Sequence, residues 1–308
     1  MNQARFLILR GGAVGDLILT LPVLQTLRNR WPDCHIELVG YPRTNALVES
    51  AGLADKTHSL DGAGIVNLYI PKVNLPLEMA RWLSEFSLAI HFLSSVDVSQ
   101  NLREFMPQVI PCHPMPPQGV HATDHYLSAL EELAIFESGL APRIIALAES
   151  VEPAPVAIHP GSGGAHKIWP LERYLELATH IESAHGIPVL WLLGEADHRI
   201  ARQLDGQVPD CQRIENRPLT ELARVLAGCR LFIGNDSGVA HLAAAVGTPV
   251  VVLFGPTDPA QWAPRGPQVQ VVRSESGLIG YLEADLVRAA VDANLAEESL
   301  APTPEEEA

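Results

Sequence analysis

The turn Gly234-Asn235-Asp236-Ser237-Gly238 places a carboxylate, a hydroxyl and glycines between an apolar strand, Leu231–Ile233, and a small-residue helix, Val239–Val246. Gly247-Thr248-Pro249 stops that helix. A second buried strand, Val250–Phe254, follows and ends in Gly255-Pro256-Thr257-Asp258-Pro259. The loops after the strands of this βαβ unit hold nearly all its polar groups. Open parallel sheets bind ligands at that carboxyl edge, and a helix N-terminus offers N–H groups and a positive dipole end to an anion. The segment reads as half of a phosphate- or nucleotide-sugar-binding site.

Two further stretches have the same character. Gly161-Ser162-Gly163-Gly164-Ala165-His166-Lys167 follows the strand Val156–Pro160. Its backbone N–H groups can cradle phosphate, and Lys167 supplies the point charge such sites use; His166 is incidental. Nearer the N-terminus, Phe6–Arg10 runs into Gly11-Gly12-Ala13-Val14-Gly15-Asp16. Asp16 stands at the start of a helix, where its plainest role is an N-cap. His241, one turn into the helix after Gly238, reads as a packed residue supporting the loop.

Strands and helices alternate through most of the chain, which predicts parallel sheets. Residues 139–155 read as a linker, with Pro153 and Pro155 before a new strand. Residues 62–76 read as a loop, and Trp169-Pro170 as the start of a helix ending near His185. The two halves open alike, each with an apolar strand running into a glycine-rich loop; two doubly wound halves facing each other would bring both loops to one cleft, a preferred place for ligands. With 21 basic residues against 36 acidic and a net charge of −15, nucleic acid is excluded as a partner. No apolar run approaches a membrane span, and the N-terminus begins a strand at once without the pattern of a signal peptide. Four scattered cysteines without a Cys-x-x-Cys pair indicate neither zinc nor a disulfide framework. The expected location is the cytoplasm.

In order and spacing, the motifs resemble glycosyltransferase family 9, the lipopolysaccharide heptosyltransferases and their relatives. The resemblance rests on Leu7–Arg10 with Gly15-Asp16 and Leu21-Pro22, on His159-Pro160-Gly161-Ser162 with Lys167 and Trp169-Pro170, and on Asp236–His241 with Gly255–Pro259. It covers roughly residues 5–270. It implies an α/β fold of GT-B architecture, two Rossmann-like domains facing a central cleft. Residues 1–150 would bind the acceptor and 151–275 the nucleotide sugar; a helix in 276–296 would pack back on the N-terminal domain, before an acidic disordered tail, 297–308.

The same resemblance makes Asp16 the catalytic base. It assigns Ser162, Gly163, Lys167, Asp236, Ser237, Gly238 and His241 to the donor, and puts Arg10, Gly15 and Thr257 near the cleft. Three departures stand out: Arg10 replaces a common Lys, Gly163 follows Ser162 where two hydroxyl residues are usual, and His91 stands where relatives often have Asp. The last bears on the acceptor. The implied enzyme is a cytoplasmic inverting glycosyltransferase, peripheral at the inner membrane or free of it. ADP-heptose is the best single donor, and the acceptor a lipopolysaccharide core, another glycolipid or a polysaccharide. A non-catalytic nucleotide-sugar-binding protein and a nucleotide-sugar epimerase are the alternatives. No cofactor or metal is expected, because Asp-x-Asp is absent; the nearest patterns are Glu195-Ala-Asp197 and Glu283-Ala-Asp285.

Overall fold

The computed structural model describes residues 3–146, 148 and 154–298. The chain divides into two compact units, Met1–Ile145 and Ala146–Ala308. The boundary thus falls inside the expected linker, of which residues 147 and 149–153 lie outside the described residues.

In the first unit the order is β1 (Arg5–Arg10), α1 (Val14–Arg30), β2 (His35–Gly40), α2 (Pro42–Ser50), β3 (Lys56–Ser59), α3 (Leu77–Leu83), β4 (Leu88–Phe92), α4 (Val96–Arg103), β5 (Gln108–Pro111) and α5 (Ala122–Leu127). The strands form one parallel sheet in the order β3-β2-β1-β4-β5. Central strands of such a sheet are covered on both faces and read as continuous apolar runs. That is why Leu7, Ile8 and Leu9 are all fully buried. Helix α1 is buried from Leu17 to Leu24 without a polar stripe, as a helix enclosed by its surroundings should be. The segment 62–76 is a loop with one 3-10 turn, Val66–Tyr69. The helix expected after His121 is cut short: α5 passes into a 3-10 turn, Ser128–Leu133, that ends where Ala134 adopts a left-handed φ of 58°.

The second unit continues with β6 (Val156–His159), α6 (Leu171–His185), β7 (Val189–Leu193), α7 (His198–Leu204), β8 (Arg213–Glu215), α8 (Leu219–Ala227), β9 (Leu231–Asn235), α9 (Gly238–Ala245), β10 (Val250–Phe254), α10 (Pro259–Trp262), β11 (Val269–Arg273) and α11 (Ala284–Glu298). Its parallel sheet runs β11-β10-β9-β6-β7-β8. Trp169, Tyr174, Trp191 and Ile233 fill the core beside it. Helix α11 buries Val287, Ala290, Val291 and Leu295 in that same core and contacts α6, β10 and β11. Its apolar face is therefore used within its own unit. The helix runs two residues into the segment read as a tail, and 299–308 lie outside the described residues.

Both sheets are doubly wound. The direction of winding reverses between β1 and β4 in the first unit and between β6 and β9 in the second. Crevices at the carboxyl ends of strands at such switch points are where open α/β sheets bind ligands.

Candidate active site

Each switch point carries one of the loops singled out by sequence. In the first unit, the chain leaves β1 at Arg10, turns at Gly11 and Gly12, and enters α1 with Ala13 as N-cap. Asp16 is therefore the third helical residue and not the cap: its Oδ2 accepts the Ala13 N–H at 2.8 Å, closing the first turn from inside. Gly12 has a φ of +95°, and a Cβ there would lie 2.6 Å from the Asp16 Oδ2, so only glycine fits. Gly15, expected in the loop, is within the helix, and Gly11 and Gly12 take its place.

Arg10 is the anchor of this site. Its side chain is 2% exposed and its Nη2 donates to Asp16 Oδ1 at 3.1 Å and to the Tyr126 hydroxyl at 2.8 Å. Its Nε and Nη1 reach the carbonyls of Asp16 and Phe92, and its guanidinium lies 4.7 Å from the Tyr126 ring centroid. Burial pushes the Tyr126 phenol up to about 12, so it keeps its proton and donates it to the Pro114 carbonyl at 2.8 Å. The result is a fixed cation holding a carboxylate that is itself 31% exposed. Arg10, Gly11, Gly12 and Asp16 line a cavity of about 310 Å³, with Tyr69, Phe92, Leu93, Ser94, Pro114 and Met115 opposite. His91 is not among them. It is buried, 2.6 Å from the Ser99 hydroxyl, and burial lowers its pKa to about 4.

In the second unit, the loops after β6 and β9 interlock. Asn235 donates to the carbonyls of Pro160 and Gly161 and accepts the Trp169 N–H at 3.0 Å. Trp169 is fully buried and donates its indole N–H to Leu282, and Pro170 then starts α6. The Ser162 hydroxyl donates to the Asp236 carbonyl at 2.8 Å, so it braces the turn. The Asp236 Oδ2 accepts from Lys167 Nζ at 2.7 Å and from the Thr257 hydroxyl at 2.8 Å. Four expected residues, Ser162, Lys167, Asp236 and Thr257, are thus brought together. Ser237 caps α9 by accepting the Ala240 N–H, and Gly238 begins that helix. His241 is buried in its first turn. Gly163 is exposed, with open space where a side chain would go.

Sequence reasoning missed the braces. The Asp197 Oδ2 accepts the Gly194 N–H at 2.7 Å and lies 3.2 Å from His159 Nε2, and the His159 ring reaches the Ser237 hydroxyl at 3.4 Å. Burial alone would raise the Asp197 carboxyl, but the hydrogen bonds from His159 and Gly194 carry it below the ordinary value. Asp197 is thus committed to positioning the loops. Tyr126 and Asn235 were also missed.

The chemistry available is acid–base work at the half-exposed Asp16 and anion binding at Lys167, whose ammonium has two N–H donors left after Asp236. The glycosyltransferase family 9 (heptosyltransferase) model matches residues 127–279. Lipopolysaccharide heptosyltransferase 3 of Escherichia coli (strain K12) is 27% identical over 81% of this chain and 82% of its own. Lipopolysaccharide heptosyltransferase 1 of Escherichia coli O18:K1:H7 is 30% identical over 42% of this chain and 39% of its own. A family 9 glycosyl transferase from Veillonella parvula DSM 2008 superposes with a TM-score of 0.78 at 21% identity, over 96% and 97% of the two chains. The ADP-heptose heptosyltransferase II structure from E. coli gives 0.77 at 19%, over 96% and 99%. With both motif loops at the switch points of two doubly wound sheets, the chain belongs to glycosyltransferase family 9 and is a glycosyltransferase.

Proposed function

We propose that this enzyme transfers heptose from ADP-heptose to a lipopolysaccharide-core acceptor, with inversion and without a divalent metal, at the cytoplasmic face of the inner membrane. The donor and acceptor classes follow the relatives, which are named as lipopolysaccharide heptosyltransferases. The observation that carries the division of labour is the opposite polarity of the two switch points: an accessible carboxylate on a buried cation in one unit, an accessible cation on a buried carboxylate in the other.

In this reading Asp16 accepts the proton of the acceptor hydroxyl as that oxygen attacks the anomeric carbon. The bond from that carbon to the diphosphate breaks, and its electron pair leaves with ADP. Arg10 keeps the carboxylate in place and leaves lone pairs of both oxygens open to the cavity. Lys167 receives the charge developing on the diphosphate, with the positive end of α9 behind it. Among the described residues, no transmembrane-length apolar helix is present, so membrane contact in this proposal is peripheral.

The test is acceptor-dependent ADP release from ADP-heptose by the chelator-treated enzyme, run beside UDP- and GDP-sugars. Release with ADP-heptose alone, undiminished by EDTA, is the expected result. Stabilisation by ADP-heptose with no release to any acceptor would favour the non-catalytic binding protein. Release that vanishes with chelator and returns with Mg²⁺ would overturn the metal-free mechanism.

A further inference from the structure

The last two turns of α6 and the middle of α11 bring together a group that transfer does not use. His180 Nε2 and His185 Nε2 lie 2.9 and 2.8 Å from the same oxygen, Oδ1 of Asp292. The two rings are nearly perpendicular, with centroids 5.8 Å apart. All three ligand atoms fall within 4.8 Å of one another, and among the described residues this is the one group of three or more His, Cys, Asp or Glu side chains so arranged. We infer that His180, His185 and Asp292 form a structural binding site for a divalent transition-metal cation, zinc above all, that ties α6 to α11.

The donor set carries the choice of ion. Two imidazole nitrogens and one carboxylate oxygen suit Zn²⁺, which takes such ligands at about 2.0–2.2 Å in tetrahedral geometry. Hard cations such as Mg²⁺ prefer all-oxygen sets. Tetrahedral bonds of that length put ligand atoms about 3.3 Å apart, so admitting the ion lengthens each His–Asp292 separation by about half an ångström and draws the two imidazole nitrogens, within 4.8 Å of each other, onto the same ion. Both imidazoles are about a quarter exposed and Asp292 is 40% exposed. The ion can enter from solvent and keep water as its fourth ligand. The histidines need no imported order: Gly186 ends α6 in a left-handed conformation directly after His185, and α11 is fixed by its buried face.

The position argues for a structural role. Helix α6 leads away from the Lys167 loop, and its 15 residues carry the chain about 22 Å from the sheet edge where that loop stands. A metal here acts on the packing of two helices and stays out of the sugar transfer, so this inference and the metal-free mechanism stand or fall separately.

Tag-free, chelator-stripped protein titrated with Co²⁺ is the test, since tetrahedral cobalt gives intense visible absorption bands and zinc displaces it. The expected result is one Co²⁺ per chain, displaced by Zn²⁺. Saturating Zn²⁺ should raise the Tm by roughly 5–10 °C, as ligand linkage predicts at a hundredfold excess over Kd. His185→Gln and Asp292→Asn should each weaken cobalt binding at least tenfold and abolish the Zn²⁺-dependent rise in Tm, while matching the stripped wild-type protein in far-UV circular dichroism. No cobalt bands at one equivalent would overturn the inference. So would bands that persist unchanged in both variants, because the ion would then sit on other residues.

Discussion

The two switch points are built from the same parts with the burial reversed. In the first unit the cation is hidden and the carboxylate shown: Arg10 is 2% exposed and Asp16 31%. In the second the carboxylate is hidden and the cation shown: Asp236 is 9% exposed and Lys167 26%. An ion pair alone assigns no role, since each half neutralises the other. Which partner is fixed and which can reach a ligand decides what the site offers. The choice of cation fits: Arg10 spends its rigid, multi-donor fork on three oxygen acceptors besides the Asp16 carboxylate, whereas Lys167 keeps a compact charge on a flexible stem.

Replacing each cation with methionine gives the largest expected losses. Arg10→Met strips the charged partner from Asp16 and the donors from Phe92 and Tyr126. It should cost about 3 kcal/mol, the low end for breaking a buried pair because Asp16 is partly solvated. Lys167→Met leaves the Asp236 carboxylate, 9% exposed, to the Thr257 hydroxyl, and should cost about 3–5 kcal/mol, at least as much as Arg10→Met. Denaturant unfolding of the two variants checks this; a clearly smaller loss in Lys167→Met than in Arg10→Met would mean that the burial contrast has no energetic meaning.

Next in size is a pH effect confined to the first unit. His91 is held neutral, its pKa lowered to about 4 by burial with the nearby Arg103 acting the same way. The unfolded chain takes up the proton first, near the ordinary histidine pKa of about 6.5. Stability is therefore complete above that pH and is lost as pH falls toward 4, by roughly 2–3 kcal/mol. His91→Gln should flatten this slope when stability is measured from pH 7 to 4. An unchanged slope would assign it to other groups.

The smallest effect distinguishes two glycines of the Lys167 loop, one on each side of Ser162. A Cβ on Gly161 would lie 2.0 Å from Asp197 Oδ1, whereas one on Gly163 meets nothing within 4 Å. Gly161→Ala should destabilise by about 1–2 kcal/mol as Asp197 is driven off His159, and Gly163→Ala by less than about 0.5 kcal/mol. Thermal melts of the pair decide it; a neutral Gly161→Ala would remove Asp197 as a brace.

What the sequence made readable was local. The β9–α9–β10 unit announces itself because a buried strand, a polar turn, a small-residue helix and a Gly-Thr-Pro stop are consecutive. The start of α6 at Trp169-Pro170 is readable for the same reason. Contacts across the sheet left no such trace. Arg10 and Tyr126 are 116 residues apart, and nothing near Tyr126 marks it as the partner of a buried cation. Glu195-Ala-Asp197 stands out in the sequence only as a near miss to a carboxylate pair, because spacing does not reveal that Asp197 turns back to the Gly194 amide and toward His159. Asp16 was placed one role away: residue type suggested a cap, but only the actual start of α1 shows that it serves Ala13 from the third helical position. The C-terminal helix carried an apolar face whose partner the sequence does not name, and that face lies in the second unit's own core.

The central claim is that the exposed carboxylate performs the proton transfer and the exposed cation holds the diphosphate. Titration calorimetry with ADP and single-turnover transfer, run on wild type, Asp16→Asn and Lys167→Ala, tests it most directly. The account predicts a crossing. Asp16→Asn should bind ADP within about twofold of wild type and lose roughly 10²–10⁴ in turnover; Lys167→Ala should lose about 1–3 kcal/mol of ADP affinity. Near-wild-type turnover in Asp16→Asn, together with undiminished ADP binding in Lys167→Ala, would contradict it.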